Sequence, residues 1–121
     1  SDNFETRFAL NRECVASGTP LVSGAAVRTD GHIFVSLPGQ DDSPCYRCLY
    51  DEEGDPEEPC GLVGVLAPLL GVIGSIQAIE VIKIITGMGE TLNGRLIRFD
   101  ALTGHWRTTR VRRDRACPTC S

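Results

Sequence analysis

Two segments of this 121-residue chain carry apolar residues at helical spacing. In residues 4–16, apolar side chains recur among charged ones, and Asp2 or Asn3 precedes them as a candidate N-cap. Residues 62–88 form a long apolar segment that ends at two glycines, and we predict a helix over residues 65–86. We expect this second helix to be buried on most of its sides, in the core or in a subunit interface.

Four shorter segments carry the apolar and β-branched residues that are typical of strands. They span residues 21–27, 33–37, 95–99 and 106–112. Asp30 and Gly31 predict a turn within the first pair, and residues 100–104 predict a turn within the second pair. The fold class predicted from this pattern is α/β, with the long helix packed against a mixed sheet.

Residues 38–60 are predicted to form a polar loop between the second strand and the long helix. Part of this loop is strongly acidic, with carboxylates at Asp51, Glu52, Glu53, Asp55, Glu57 and Glu58. Loops of this length are usually functional or disordered, so we predict that this loop is mobile.

The basic residues are concentrated elsewhere, although the net charge is only −4. Arginines occupy positions 95, 98, 107, 110, 112, 113 and 115. Most of them alternate with apolar residues, as expected for the exposed faces of strands, and we therefore expect no nucleic-acid partner.

The cysteines provide the most specific chemistry in the sequence. Cys45 and Cys48 form one C-x-x-C pair, and Cys117 and Cys120 form a second. Two such pairs supply the four soft ligands of a tetrahedral zinc site, and the long gap between them indicates that the metal joins distant parts of one domain. A single C-x-x-C pair also occurs in thioredoxin-like redox sites, but two pairs in a short chain favour metal.

The start of the sequence is polar and acidic, which predicts that no signal peptide is present here. Together with thiols spaced for metal, this indicates a reducing, cytoplasmic location. The uncharged residues 61–79 are interrupted by Pro68 and are followed by Glu80 and Lys83, so we expect a buried helix rather than a membrane span.

Several motifs, taken together and in order, resemble the MoeB/ThiF family. They are Ser1-Asp2-Asn3-Phe4-Glu5-Thr6-Arg7, Pro20-Leu21-Val22-Ser23-Gly24-Ala25-Ala26, Pro44-Cys45-Tyr46-Arg47-Cys48, residues 67–78, Phe99-Asp100-Ala101 and Cys117-Pro118-Thr119-Cys120. The resemblance implies an ATP-dependent adenylyltransferase that activates the C-terminal glycine of a ubiquitin-like sulfur carrier (MoaD- or ThiS-like), for molybdopterin or thiamine biosynthesis. It also implies a homodimer.

The resemblance further implies that residues 1–121 are the C-terminal half of a Rossmann-like adenylation domain. The sequence contains no glycine-rich phosphate loop after a strand, and the family carries that loop in an N-terminal half. We therefore expect the isolated 121 residues to be inactive. The alternative function is a non-catalytic, zinc-stabilised module that binds a ubiquitin-like partner.

Site residues follow from the same resemblance. Asp2 corresponds to the family aspartate at the nucleotide and Mg²⁺, and a carboxylate is a suitable hard ligand for that ion. Asn3 and Arg7 belong to the same motif, although Asp2 also serves as a helix cap and Arg7 also suits a salt bridge. Cys60 matches a position where ThiF-like members carry a reactive cysteine, so it either forms a covalent intermediate with the carrier or is an ordinary loop cysteine. The four paired cysteines match the family's structural zinc ligands.

Overall fold

The computed structural model describes residues 4–40, 42–50 and 64–121. Its elements, in chain order, are α1 (Phe4–Ser17), β1 (Leu21–Val27), β2 (Asp30–Ser36), α2 (Tyr46–Leu49), α3 (Ala67–Thr86), β3 (Arg95–Asp100) and β4 (His105–Arg110). The two long helices and all four strands confirm the predictions from sequence. The short helix α2 was not predicted, because four residues are too few to show a periodic pattern.

The four strands form one sheet in the order β1-β2-β3-β4, and every neighbouring pair is antiparallel. The prediction of a mixed sheet is therefore wrong for the named strands, and parallel pairing is confined to two isolated bridges, Arg28 with Val65 and Val35 with Asn93. The first turn lies at residues 28–29, two positions before the predicted Asp30-Gly31, since Val27 already pairs with Asp30. A two-residue connection of this kind joins antiparallel strands only.

The sheet separates two apolar layers. On one face, Ile33 packs with Leu69 and Ile73 of α3. On the other face, Phe34 packs with Phe8 of α1 and with Tyr46 of α2. Consecutive residues of β2 serve opposite layers because side chains alternate across a strand. Both faces of this central strand are consequently buried.

Gly31 allows α3 to lie close to the sheet. A Cβ atom at this position would come within 2.6 Å of Ile73 Cδ1. The glycine of β2 thus lets the helix approach the backbone directly, which a larger residue prevents.

Helix α3 is less buried than predicted. Its buried residues are Leu69, Ile73 and Glu80, which form one stripe facing the sheet. The helix is long and apolar enough to cross a membrane by length and composition, and 17% of its most apolar window is buried. Among the described residues of a single chain, only the face of α3 that meets the sheet is buried, and burial of its other sides in a subunit interface stays a prediction. Exposed apolar residues on and beside it are Leu66, Leu70, Val72, Ile79, Val81, Ile82, Ile85 and Met88.

Candidate metal centre

The fold brings the two C-x-x-C pairs together. Cys45 immediately precedes α2 and Cys48 lies within it, whereas Cys117 and Cys120 lie in the turns that follow β4. The sulfur–sulfur distances are 4.0 Å for Cys45 and Cys48, 3.7 Å for Cys45 and Cys117, and 3.5 Å for Cys48 and Cys120. All four sulfurs lie within 4.8 Å of one another. Two pairs separated by most of the chain therefore form one cluster.

These separations fit a tetrahedral ion. A zinc–sulfur bond of about 2.3 Å places tetrahedral sulfurs about 3.8 Å apart, close to the distances found. A disulfide requires about 2.05 Å, and the described cysteines are all free thiols. Four sulfurs around one point match a closed metal site better than a redox pair, which needs only two. The cluster can hold a metal ion.

The surroundings of the cluster favour the thiolate form at some positions and oppose it at others. Burial raises the pKa of Cys48 and of Cys120. Burial also acts against ionisation of Cys117, but hydrogen bonds from the backbone of Cys120 and Thr119 lower the pKa of that thiol overall. The backbone N–H of Asp114 donates to Cys48 Sγ at 3.4 Å. Since buried thiolates repel one another, ionisation of the whole set requires a bound cation.

Backbone and side-chain contacts hold both halves of the cluster in place. Ser43 Oγ accepts from the Leu37 N–H at 3.0 Å and donates to Asn93 Oδ1 at 2.8 Å, which fixes the segment that leads to Cys45. The Arg113 guanidinium donates to the Cys120 carbonyl. Hydrogen bonds outside the cluster thus also help to position the segments that carry the sulfurs.

Arg7 lies on α1, near the first strand of the sheet. It lines an open cavity of about 160 Å³ together with Gly24, Tyr46 and Gln77.

Burial is the main cause that lowers the pKa of His32 to about 4, and the positive charges of Arg7 and Arg98 lower it further. Asp2, Asn3 and Cys60 lie outside the described residues, so their predicted roles stay predictions.

Sequence reasoning missed Asn11. This residue shares the buried face of α1 with Phe8, and only 1% of it is exposed. Its Oδ1 atom accepts a hydrogen bond of 2.9 Å from the backbone N–H of Tyr46, inside the first C-x-x-C pair. The available signal was a polar residue three positions after Phe8, on the apolar stripe of a predicted helix.

Comparison with known proteins adds a family. The model of the ThiF family matches residues 1–119. The chain is 44% identical over 120 residues to the molybdopterin-synthase adenylyltransferase of Escherichia coli K12, covering 99% of this chain and 48% of that protein. It is 41% identical over 120 residues to the sulfur carrier protein ThiS adenylyltransferase of the same organism, covering 99% of this chain and 47% of that protein. The chain thus spans about half the length of these curated relatives.

A solved structure shows the same fold at lower identity. The crystal structure of E. coli MccB superposes with a TM-score of 0.79 and 21% identity, covering 98% of this chain and 37% of that chain. The antiparallel sheet with helices on both faces is therefore a known arrangement.

Proposed function

This chain belongs to the ThiF family, and we propose that the whole protein is an ATP-dependent adenylyltransferase acting on a ubiquitin-like sulfur carrier. The observation that carries the proposal is the match of nearly the whole chain, at 41% and 44% identity, to two adenylyltransferases. One of these is named for molybdopterin synthase and the other for ThiS, so molybdopterin and thiamine biosynthesis are both candidate pathways. We also propose a cytoplasmic location.

The proposed reaction is acyl adenylation. An oxygen of the carrier's terminal glycine carboxylate attacks the α-phosphorus of ATP, and the bond to pyrophosphate breaks to give an acyl-adenylate. Catalysis of this kind depends mainly on positioning and on neutralising the phosphate charge. Asp2 and Asn3 precede α1 in the sequence, and the dipole of a helix favours an anion near its N-terminus. We assign Asp2 to the Mg²⁺ that accompanies ATP, and Arg7, one turn into the helix, to the phosphate charge.

We propose that Cys45, Cys48, Cys117 and Cys120 hold a structural zinc ion. The sulfur–sulfur distances of 3.5 to 4.0 Å and the all-thiol ligand set support zinc. Four protein ligands close the coordination sphere, so the ion would supply cross-linking and no activated water. The ion would join α2, which carries the first pair, to the segment after β4, which carries the second pair.

Cys60 is proposed to act after adenylation. Its thiolate would displace AMP from the acyl-adenylate and form a thioester with the carrier. The resemblance to ThiF-like members with a reactive cysteine at this position carries the proposal, although the carboxylates beside Cys60 in the sequence oppose the thiolate form.

Pyrophosphate exchange tests the proposed activity. The full-length protein, given ATP, Mg²⁺ and a carrier that ends in Gly-Gly, should exchange labelled pyrophosphate into ATP, and Asp2→Asn should reduce the rate by about 100-fold or more. Cys60→Ala should leave this exchange intact while blocking sulfur transfer. The 121 residues alone should show no pyrophosphate exchange. Their function would then be the alternative one, binding of a ubiquitin-like partner without catalysis. A full-length protein with no exchange would contradict the proposal, and normal sulfur transfer by the Cys60→Ala variant would contradict the covalent role.

The exposed side of α3 supports a homodimer, in which a second copy covers it. Its apolar residues include Ile85, which is 78% exposed, and Ile82, which is 55% exposed. Burial of such residues stabilises an association, since apolar surface contributes about 25 cal/mol per Å² removed from water. Ile85→Glu in the full-length protein should therefore halve the mass measured by sedimentation. Thr108→Glu on the exposed strand β4 is the control, and a dimer that survives both changes would contradict this interface.

A further inference from the structure

Helix α1 packs against the sheet through Phe8 and Phe34, and it also contacts α2 directly. Its buried residues are Phe8 and Asn11. Both contact Tyr46: the rings of Phe8 and Tyr46 meet edge to face with centroids 5.3 Å apart, and Asn11 Oδ1 accepts from the Tyr46 N–H at 2.9 Å. Near the start of α1, Phe4 packs against Tyr50, with ring centroids 5.4 Å apart. The position of α1 therefore depends strongly on α2 and the residue that follows it.

The position of α2, in turn, depends on the cysteine cluster. Tyr46 follows Cys45 directly, and Cys48 lies two residues further on, so both sides of Tyr46 carry a sulfur of the cluster. Those sulfurs contact Cys117 and Cys120 from the other end of the chain. A bound ion would fix all four sulfurs and with them the backbone of α2.

Asn11 acts as a cap supplied by a different helix. Tyr46 is the first residue of α2, and its N–H is one of the donors that a helix leaves without an internal partner. Cys45 occupies the N-cap position of α2 and makes no side-chain capping bond. Asn11 Oδ1, on α1, provides the hydrogen-bond acceptor for the Tyr46 N–H instead. The same hydrogen bond therefore stabilises the ligand-bearing turn and joins it to α1.

We propose that Asn11 is a positioning residue that couples occupancy of the metal centre to the placement of α1. Metal binding fixes α2, and α2 then holds α1 through the Asn11 hydrogen bond and the Phe8 contact. Because α1 carries Arg7 and begins two residues after Asp2 in the sequence, the ion affects nucleotide binding through geometry alone. This last step rests on the proposed function, whereas the coupling between cluster and helix does not.

The test uses the metal-loaded full-length protein with Asn11→Leu, which keeps the approximate size of the side chain and removes the acceptor. We expect one metal ion per chain still to be found by elemental analysis. Amide hydrogen exchange in residues 4–17 should become about tenfold faster, as for loss of one buried hydrogen bond. Release of the metal at equilibrium with a competing chelator should be favoured by a similar factor, because a coupling free energy is reciprocal. The KM for ATP should rise.

Two further variants separate coupling from a general loss of stability. Gln77→Leu makes the same amide-to-leucine change at the bond from Gln77 Nε2 to the Val22 carbonyl, which joins α3 to β1, and it should leave exchange in α1 unchanged. Asn11→Asp keeps an oxygen acceptor and should restore slow exchange in α1. The proposal would be overturned if the Asn11→Leu variant showed the same amide hydrogen exchange in α1 and the same metal release as the wild-type protein. It would also be overturned if Gln77→Leu changed both quantities as much as Asn11→Leu does. Absence of pyrophosphate exchange in the wild-type protein would overturn only the proposed function, because the other two measurements do not need activity.

Discussion

Removal of the proposed metal ion from the four-cysteine cluster is expected to abolish the cooperative thermal unfolding transition of this protein. Structural zinc in small domains contributes about 10–16 kcal/mol of apparent binding free energy, which exceeds the usual net stability of a domain of this size. A strong chelator should therefore eliminate the native circular dichroism spectrum. Cys117→Ser should have nearly the same effect, because it removes a buried ligand that lies 3.7 Å from Cys45 Sγ.

The chain offers its own control for this experiment. Cys14 on α1 is a free, partly exposed thiol outside the cluster. Cys14→Ser should retain the metal and change the free energy of unfolding by less than about 1 kcal/mol. Elemental analysis and the intact mass under non-reducing conditions identify the state of the cluster. Metal-free protein with two C-x-x-C disulfides and an unchanged melting curve would support the redox interpretation instead.

The sequence predicts the local elements well because each one leaves a repeating pattern. The strand of residues 21–27 was predicted at its observed ends, and the helix of residues 4–16 ends one residue later, at Ser17. The direction of pairing was predicted less well, because apolar alternation is the same in parallel and antiparallel strands. The environment of α3 was predicted only in part, because one face meets the sheet and the interface expected for the rest stays a prediction. An apolar composition shows that a helix needs a partner, but it does not show whether the same segment of chain supplies one.

The part of the metal centre that a sequence motif encodes could be predicted. Four cysteines in two identical pairs point to one cluster, and the structure brings them together. Asn11 has no such motif, since a lone asparagine in a helix is usually solvated. Its importance depends on where the Tyr46 N–H lies, which is set by a contact between residues 35 positions apart. A site made of repeated residue types, such as the four cysteines, can thus be predicted from sequence. The single polar residue that positions it can be identified only once the fold is known.

A second large effect is expected at Glu80, a carboxylate buried to 1% exposure in α3. Its Oε1 atom accepts from the Leu92 N–H at 2.6 Å, and its Oε2 atom pairs with Lys83 Nζ at 2.7 Å. Lys83 also donates to the Glu90 carbonyl at 3.0 Å. Glu80 therefore joins the helix to the segment that leads into β3.

Glu80→Ala should lower the free energy of unfolding by about 3 kcal/mol, because it leaves a buried donor without an acceptor and removes the partner of an ammonium group. Glu80→Gln keeps an oxygen for the Leu92 N–H and should cost about 1 kcal/mol. Urea unfolding of the metal-loaded protein measures both values.

Glu90→Gln is the matched control for these variants. The Glu90 carboxylate is 88% exposed and lies 3.6 Å from Arg95, so its ion pair is screened by solvent. Loss of such a surface pair should change the stability by less than about 1 kcal/mol. Equal stabilities for Glu80→Ala and Glu90→Gln would show that the buried carboxylate does not hold this junction. The expected order instead makes Glu80 the residue that holds α3 to the segment that leads into β3.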